Sequence, residues 1–318
     1  MNMRILLTES CNGNCPHCFN KDMRKDGHMD TDKAILLFDY LARHTKGIKF
    51  MGGEPTIHPD FVMLYEYAQD AGLNVFLFTN ALNDEILKIK PRLRDSITYN
   101  MALLNDCFNL DKLIPEREFS RFFETVINTK TNIGLLKAKI QWLIDSCERI
   151  GIADTIKFNL TLDCTENVFK NKVVLNKFYS ELFRFIYDIN PAYISFDHRV
   201  PPCFWSKESI AEIKKVTTRI FSDVVCGTSC YGLINASFEL LHCNQYPVKI
   251  MDMFDPSGKN IVAFNKVETS LYKTNLEKQL IVFGNGVCDS CKYAVVYCQG
   301  GCLRHKWPAK VIEGIVVE

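Results

Sequence analysis

Three cysteines near the start of this chain have a spacing that suits metal chemistry. Cys11, Cys15 and Cys18 lie in the segment CNGNCPHCF, directly after an apolar run. Three thiolates can hold a [4Fe-4S] cluster and leave one iron open to an outside ligand, whereas an electron-transfer cluster takes four. A zinc site completed by His17 or by a distant residue is the alternative, because soft thiolates also bind zinc.

A second motif, Met51-Gly52-Gly53-Glu54-Pro55-Thr56, follows the next apolar run. Its two glycines let the backbone approach a ligand closely, and Pro55 stiffens the exit from the turn. The carboxylate of Glu54 is suited to a cationic amine. Taken alone, the motif is also compatible with an ordinary glycine-rich turn.

A third group of cysteines lies near the carboxyl terminus. Four thiols fall within 15 residues, at Cys288, Cys291, Cys298 and Cys302, and this density indicates a metal site. A zinc ribbon or knuckle is the alternative to an iron–sulfur cluster. The whole chain has 14 cysteines, and a reducing compartment gives little reason for disulfides, so metal ligation or redox chemistry is favoured.

Composition and charge exclude several classes of protein. The 318 residues are 47% hydrophobic and carry 38 Lys and Arg against 37 Asp and Glu, a net charge of +1. This balance gives no broad field to attract nucleic acid or an acidic membrane. No apolar run reaches the ~20 residues of a membrane span, and Met1 to Glu9 lacks the features of a secretory signal. We expect a cytoplasmic protein that binds neither membranes nor nucleic acid.

Apolar runs alternate with helical patterns over the first two hundred residues, an order typical of βα units around a parallel sheet. Six strands are predicted, at Met3 to Leu7, Ile48 to Met51, Asn74 to Thr79, Ser96 to Leu104, Thr155 to Leu162 and Tyr193 to Asp197. Helices are predicted from Asp30 to His44, Pro59 to Ala71, Leu135 to Ile150 and Leu175 to Ile189. Because a full barrel has eight units, the predicted fold is α/β, a partial (β/α)6 TIM-like barrel.

The domain boundary is predicted near residue 200. After Pro201-Pro202 the alternation stops, which divides the chain into a barrel over residues 1–200 and a small cysteine-rich extension over residues 201–318. A helix is predicted in the extension from Lys207 to Ser222. Residues 105–134 have no clear period and are interpreted as a helical insertion over the barrel mouth.

The two N-terminal motifs together resemble those of the radical S-adenosylmethionine (SAM) superfamily. Its members carry Cys-x3-Cys-x2-Cys after strand one and Gly-Gly-Glu-Pro after strand two, and both motifs are intact here. The resemblance spans residues 3–200. The resemblance implies that Cys11, Cys15 and Cys18 hold a [4Fe-4S] cluster whose open iron binds SAM. It also implies that one electron cleaves SAM into methionine and a 5'-deoxyadenosyl radical.

The resemblance extends to the residues that bind SAM. The methionyl amino group is assigned to Gly52, Gly53, Glu54 and Pro55, and the adenine to His17 and Phe19. Thr79-Asn80 ends strand three where relatives often carry Thr-Asn-Gly, with Ala81 in place of the glycine. Asn100 and Asn159 are candidates for the ribose or carboxylate, although a polar residue on a barrel strand can also serve only its neighbours in the core.

The C-terminal cysteines resemble the SPASM and twitch extensions, which carry auxiliary [4Fe-4S] clusters. Cys243 and the Asp252 to Gly258 turn resemble the opening hairpin of that region, but Ala263 stands where the pattern has a cysteine and no cysteine follows Cys302. One complete auxiliary cluster is therefore predicted, on Cys288, Cys291, Cys298 and Cys302, with Cys243 competing for one place. A second, three-thiolate cluster using Cys226 or Cys230 is also compatible with the sequence.

The remaining cysteines fit neither motif. Cys147 lies in a helical apolar pattern and is predicted to be a small core residue. Cys164 follows the fifth predicted strand at the barrel mouth, and Cys203 follows Pro201-Pro202. Both are candidate hydrogen-atom donors to a substrate radical, with a structural role as the alternative. Cys107 has no assigned role.

The resemblance implies a reaction class but not a substrate. SPASM-type relatives modify peptides by crosslinking, thioether formation, epimerisation or oxidation, and a smaller set acts on sugars and aminocyclitols. The first hypothesis is modification of a ribosomally made peptide, the second a dehydrogenase or epimerase of a small polar metabolite, and the third a non-catalytic metal-binding module. A flavodoxin or ferredoxin would supply the electron. The motif at Cys11 leaves no room in front of it for a leader-peptide recognition domain.

Overall fold

The computed structural model describes residues 2–15, 18, 26–101, 113–162, 171–196, 204–215, 232–243 and 246–283. The chain divides into two compact units. Unit 1 comprises Met1–Thr125, Leu143–Lys157 and Tyr231–Leu271, and unit 2 comprises Val126–Trp142, Phe158–Cys230 and Tyr272–Glu318. In chain order the described helices and strands are β1 (Asn2–Thr8), α1 (Thr31–Ala42), β2 (Gly47–Gly52), α2 (Phe61–Asp70), β3 (Asn74–Thr79), β4 (Ser96–Asn100), β5 (Ser120–Ile127), α3 (Ile133–Arg149), β6 (Ile156–Leu162), α4 (Lys172–Ile189), β7 (Ile194–Phe196), α5 (Lys207–Lys214), β8 (Leu233–Ile234), β9 (Glu239–Cys243), β10 (Tyr246–Asp252) and α6 (Phe264–Phe283).

Unit 1 is built on a mostly parallel sheet. Its strands pair in the order β10-β9-β8-β1-β2-β3-β4-β5. The pairs from β1 to β5 and the pair of β1 with β8 are parallel, whereas β8, β9 and β10 pair in antiparallel fashion. The carboxyl ends of β1 to β5 therefore meet at one edge of the sheet, which is where the residues after these strands can form a site.

Burial explains why the strands and helices of unit 1 form where they do. In β1, Met3, Ile5, Leu6 and Leu7 are all buried, the near-continuous apolar run expected of a strand covered on both faces. Helix α1 begins after Asp30, whose side chain accepts a hydrogen bond from the Lys33 amide at 2.9 Å. Its buried residues recur at helical spacing, at Ala34, Leu37, Phe38 and Leu41.

A buried arginine lies near the amino end of β5. The Arg121 guanidinium donates to the Thr155 hydroxyl at 2.6 Å and to the backbone carbonyls of Phe119, Ile114 and Glu116. The side chain is 0% exposed, and this burial lowers its pKa. Its neighbour Cys147 is fully buried in α3, which confirms the prediction of a core residue, and burial raises the pKa of that thiol to about 12.

Unit 2 contains the parallel pair β6 and β7 and the packed helices α4 and α5. The two helices are joined by buried polar contacts. Asn176 Oδ1 accepts from the Ser206 amide at 2.7 Å and from the Ser209 hydroxyl at 2.9 Å, and the Ser180 and Ser209 hydroxyls lie 2.8 Å apart. Ser206 also caps α5, since its hydroxyl accepts from the Ser209 amide at 3.0 Å.

The structure confirms the predicted α/β class with a mostly parallel sheet. All six predicted strands are present. Strand β4 ends at Asn100, residues 102–104 and 197 of the predicted strands lie outside the described residues, and the other ends differ by at most one residue. Strand β5 was not predicted, and the expected helical insertion over residues 105–134 is wrong for residues 120–127. Helix α5 spans Lys207–Lys214 with Lys215 as its C-cap, and the rest of the predicted helix, residues 216–222, lies outside the described residues. Strands β8 to β10, assigned from sequence to the extension, lie in the sheet of unit 1. Among the described residues, no helix is long and apolar enough to cross a membrane.

Candidate active site

The cysteine loop leaves β1 at the carboxyl edge of the sheet. Within it the Ser10 amide donates to the Thr8 hydroxyl at 3.1 Å, and the Cys18 amide donates to the Cys15 carbonyl at 3.2 Å. Cys11, Cys15 and Cys18 are each half-buried, and none forms a disulfide. The loop therefore presents three reduced thiols within a short stretch of backbone.

N–H groups point at two of these sulfur atoms. The Gly13 amide lies 3.3 Å from Cys11 Sγ, and Nδ2 of Asn100, the last residue of β4, lies 3.4 Å from Cys15 Sγ. Nδ2 of Asn80, just after β3, lies 4.0 Å from Cys11 Sγ. Such donors favour the negatively charged thiolate, the form that binds metal.

The two glycines of the second motif allow two loops to lie against each other. The Gly53 amide donates to the Thr8 carbonyl and the Glu54 amide to the Ser10 carbonyl, each at 2.9 Å. A Cβ at Gly53 would lie 1.9 Å from the Ser10 carbonyl oxygen, and one at Gly52 would lie 2.2 Å from that of Thr8. Only glycine fits at either position, because the end of β1 and the start of the cysteine loop occupy the space that a side chain would need.

Glu54 ties three loops together. Its Oε1 accepts from the Thr56 amide at 3.2 Å, the Thr56 hydroxyl at 2.7 Å and the Thr79 hydroxyl at 2.8 Å. Its Oε2 accepts from the Asn80 amide at 2.7 Å. We call this set, Glu54 with Thr56, Thr79 and Asn80, the Glu54 clasp. The clasp joins the loop after β2, itself bonded to the cysteine loop, to the loop after β3.

The clasp gives Glu54 a structural role in addition to the predicted contact with SAM. The side chain is 1% exposed, and burial raises the pKa of the carboxyl although the four donors act in the opposite direction. Both oxygens accept hydrogen bonds inside the fold, Oε2 from the Asn80 amide alone, and the contact of Glu54 with the methionyl amino group stays a prediction. Pro55, also assigned to the amino group, is buried and begins a short 3-10 turn at Pro55–Ile57.

The loop after β3 is bonded to the cysteine loop through Asn80. Asn80 Nδ2 donates to Asn12 Oδ1 at 2.8 Å, and its Oδ1 accepts from the Leu82 amide at 2.9 Å. Ala81 has φ +55°, in the left-handed region that favours glycine. Alanine adopts this conformation at a cost in strain that glycine would not have.

Comparison with known families identifies this arrangement. Residues 5–132 match the model of the radical SAM superfamily. These residues carry the radical SAM domain that the two motifs predicted. The match covers β1 to β5 and includes both N-terminal motifs, and it confirms the resemblance drawn from the sequence.

Individual radical SAM proteins show how far the similarity reaches. A probable GTP 3',8-cyclase of Saccharolobus solfataricus is 27% identical over 179 residues, which are 54% of this chain and 55% of that protein. The chain thus spans about half the length of the curated relatives it matches. Among solved structures, Streptococcus suis SuiB bound to its precursor peptide SuiA has a TM-score of 0.55 and 16% identity, over 95% of this chain and 72% of that one. The enzyme anSMEcpe, with AdoMet and a Kp18Cys peptide, has a TM-score of 0.58 and 15% identity, over 95% and 89%. Both structures share the fold.

The radical SAM family implies a [4Fe-4S] cluster and SAM, and the donor set of this chain fits the cluster. Three thiols lie on one loop, with N–H donors at two sulfurs. Each thiolate of such a cluster binds a different iron, so its ligands need not converge on one point. Among the described residues, no three His, Cys, Asp or Glu side chains converge closely enough to hold a single metal ion.

The other predicted site residues lie in different parts of the chain. Asn100 lies beside Cys15 Sγ, and Asn159 lies on β6 in unit 2, opposite Ser195. Several predicted residues lie outside the described residues, or have side chains that do, and these are His17, Phe19, Cys164, Cys203, Cys226, Cys230, Cys243, Cys288, Cys291, Cys298 and Cys302. Sequence reasoning missed Asn12 and Thr56 as partners of Asn80 and Glu54. Thr56 directly follows the Gly-Gly-Glu-Pro motif, and that position was the available signal.

Proposed function

We propose that this chain binds SAM at a [4Fe-4S] cluster held by Cys11, Cys15 and Cys18, cleaves it reductively, and removes a hydrogen atom from a peptide substrate. The observation that carries the proposal is the meeting of three loops at the carboxyl ends of β1, β2 and β3. The cysteine loop, the Gly-Gly-Glu-Pro turn and the Thr-Asn turn are bonded to one another through the Glu54 clasp and Asn80.

The chain's own residues would bind the cluster and orient SAM. When bound, the cluster supplies one electron to SAM, which breaks the C5'-S bond and gives methionine and a 5'-deoxyadenosyl radical. The Gly52-Gly53 backbone, which is bonded to the end of β1, would receive the methionyl amino group of SAM, and the Thr79-Asn80 turn, which is bonded to Asn12, would border the same ligand. Glu54 would hold these loops in register through the Glu54 clasp, and its contact with the methionyl amino group stays a prediction.

A further cluster and the cellular setting belong to the same proposal. At least one auxiliary [4Fe-4S] cluster on Cys288, Cys291, Cys298 and Cys302 is supported by the spacing of those residues, with Cys243 as the competing ligand. Cys164 and Cys203 stay predictions as hydrogen-atom donors. A reducing cytoplasm and a flavodoxin or ferredoxin donor would keep the thiols and the cluster reduced.

A peptide is the favoured substrate. Two radical SAM structures with this fold were solved with bound peptides, which supports a peptide but does not extend to its sequence. A small polar metabolite is the second candidate, because the curated relatives that match about half of this chain are named as probable GTP 3',8-cyclases.

The proposal is tested by measuring 5'-deoxyadenosine with and without each substrate class. The reconstituted chain is incubated anaerobically with SAM and dithionite, alone, with peptides encoded beside its gene, or with nucleotides and sugars. We expect the nucleoside to form, its rate to rise with a peptide, and the mass of that peptide to change. Stimulation only by a nucleotide or sugar would reject the peptide. Absence of SAM cleavage by a fully loaded cluster would reject the whole proposal.

A further inference from the structure

Side chains from other strands reach the sulfur atoms of the cysteine loop. Asn100 Nδ2 lies 3.4 Å from Cys15 Sγ although the two residues are 85 positions apart in the chain. Asn80 Nδ2 lies 4.0 Å from Cys11 Sγ but only 2.8 Å from Asn12 Oδ1, so its main partner is the Asn12 amide oxygen. Asn100 therefore provides the closer side-chain donor to a cysteine sulfur.

The position of Asn100 is set by the sheet. It is the last residue of β4 and pairs with Glu124 of β5, whose ladder with β4 begins at Ser96 and Ser120. The side chain is half-buried at the edge where the cysteine loop lies. A donor held by a strand has a more fixed direction than one on a loop, because the sheet hydrogen bonds restrain its backbone.

We propose that Asn100 is a positioning residue for the Cys15 thiolate, and that its N–H···S hydrogen bond raises the reduction potential of the cluster. This inference rests on the proposed function, since it requires a cluster on Cys15. Reduction adds one electron and makes the cluster and its sulfur ligands more negative. A hydrogen-bond donor at the sulfur stabilises the more negative state more strongly, so it favours the reduced cluster.

This role differs from the SAM contact that the sequence suggested for Asn100. A residue that binds the ribose or carboxylate would change the KM for SAM and leave the potential of the SAM-free cluster unchanged. A donor to Cys15 would change that potential in the absence of SAM. A measurement of the cluster potential before SAM is added therefore distinguishes the two roles.

The test is a redox titration of the full-length, reconstituted chain without SAM, followed by electron paramagnetic resonance. The relevant signal is the one that Cys15→Ala removes. At the potential where the wild-type cluster is half reduced, we expect Asn100→Leu to lower the ratio of reduced to oxidised cluster about tenfold, or about 59 mV for a one-electron couple. Asn100→Asp, which replaces the donor by an acceptor in the same shape, is expected to lower it further. Asn80→Leu should give a smaller decrease, because Asn80 Nδ2 lies farther from Cys11 Sγ and donates mainly to Asn12 Oδ1.

A matched control is available on the same strand. Thr98 lies two residues before Asn100 on β4, with its side chain on the same face, and Thr98→Val removes a polar group without touching Cys15. We expect no change of potential in this variant. If either Asn100→Leu or Asn100→Asp holds full iron and has the wild-type potential, the inference is rejected. If the wild type has no signal that depends on Cys15, the proposed function itself is rejected.

Discussion

Two buried ionisable side chains in unit 1 lie at opposite ends of parallel strands. Glu54 follows the carboxyl end of β2, and Arg121 lies near the amino end of β5. Among the described residues neither makes an ion pair. Backbone amides and threonine hydroxyls donate to the Glu54 carboxylate, whereas backbone carbonyls and a threonine hydroxyl accept from the Arg121 guanidinium. Both buried side chains are therefore hydrogen-bonded to uncharged groups. Their surroundings differ, since Glu54 joins three loops of the candidate site and Arg121 holds the segment before β5.

The ends of the strands at which Glu54 and Arg121 lie predict different effects on stability and on catalysis. In barrels of parallel strands, chemistry lies at the carboxyl ends, whereas buried residues at the amino ends contribute to stability. We therefore expect changes at Glu54 to affect both SAM cleavage and folding, and changes at Arg121 to affect folding alone. The following four variants test that distinction.

Glu54→Ala is expected to have the largest effect. It leaves the donors of Thr56, Thr79 and Asn80 without their acceptor, at about 1–3 kcal/mol for each unsatisfied group. The loops that hold the cluster and SAM would shift, and a displacement of about 1 Å can reduce a rate about 100-fold. We expect at least that loss in the rate of 5'-deoxyadenosine formation, together with a lower thermal midpoint. Glu66→Ala, an exposed glutamate on α2, serves as the control and should change neither.

Arg121→Met is expected to reduce stability without reducing chemistry. The carbonyl groups of Ile114, Glu116 and Phe119 lose their donor, so the free energy of unfolding should fall by about 2–4 kcal/mol. SAM cleavage per folded molecule should stay within about twofold of wild type, because these contacts lie away from the site edge. Urea unfolding and the nucleoside assay measure the two quantities. A loss of cleavage as large as that of Glu54→Ala would remove the distinction between the two regions.

The pH dependence of stability gives a finer test of Glu54. Burial raises the folded-state pKa of this carboxyl above its unfolded value, so its contribution to stability is full below about pH 4.3 and is lost as pH rises through the folded pKa. Glu54→Gln does not titrate there. The loss of unfolding free energy caused by Glu54→Gln should therefore be larger at acid pH and shrink towards neutral pH. Urea unfolding of both proteins across this interval measures it, and a loss that grows with pH would show that the four donors outweigh burial.

Ala81→Gly should have the smallest effect. Glycine relieves the strain of φ +55° but gives up a buried methyl group and adds freedom to the unfolded chain. These terms oppose one another, so the free energy of unfolding should change by less than about 1 kcal/mol, with SAM cleavage unchanged. A change above about 2 kcal/mol in a thermal or urea unfolding curve would contradict this balance.

The sequence predicted the parts of the fold that follow simple periodicity. The strand Asn74–Thr79 has the predicted bounds, and α1 begins after the predicted capping segment at Asp30. Strand β5 was missed because Arg121 occupies a buried position that the apolar pattern would assign to a hydrophobic residue. Strands β8 and β9 are short, and their place beside β1 depends on pairing between distant segments, which local patterns do not encode.

The candidate site shows the same limit at the level of single side chains. The spacing of Cys11, Cys15 and Cys18 identified the family correctly, because that spacing is itself the chemical requirement. The hydrogen bond between Glu54 and the Thr79 hydroxyl did not follow from the motif, since a carboxylate beside two glycines gives no sign of its partners on another strand. The contact of Asn100 with Cys15 joins residues from two strands and can be found only in the folded chain.

The most direct test of the central claim compares wild type with the Cys11/Cys15/Cys18 triple alanine variant. Both are reconstituted anaerobically, analysed for iron and sulfide, and assayed for 5'-deoxyadenosine with SAM and dithionite. We predict nucleoside from the wild type alone, and a loss of about four irons in the variant. Equal iron content, or nucleoside formation by the variant at the wild-type rate, would contradict the assignment of the cysteine loop as the site of SAM cleavage.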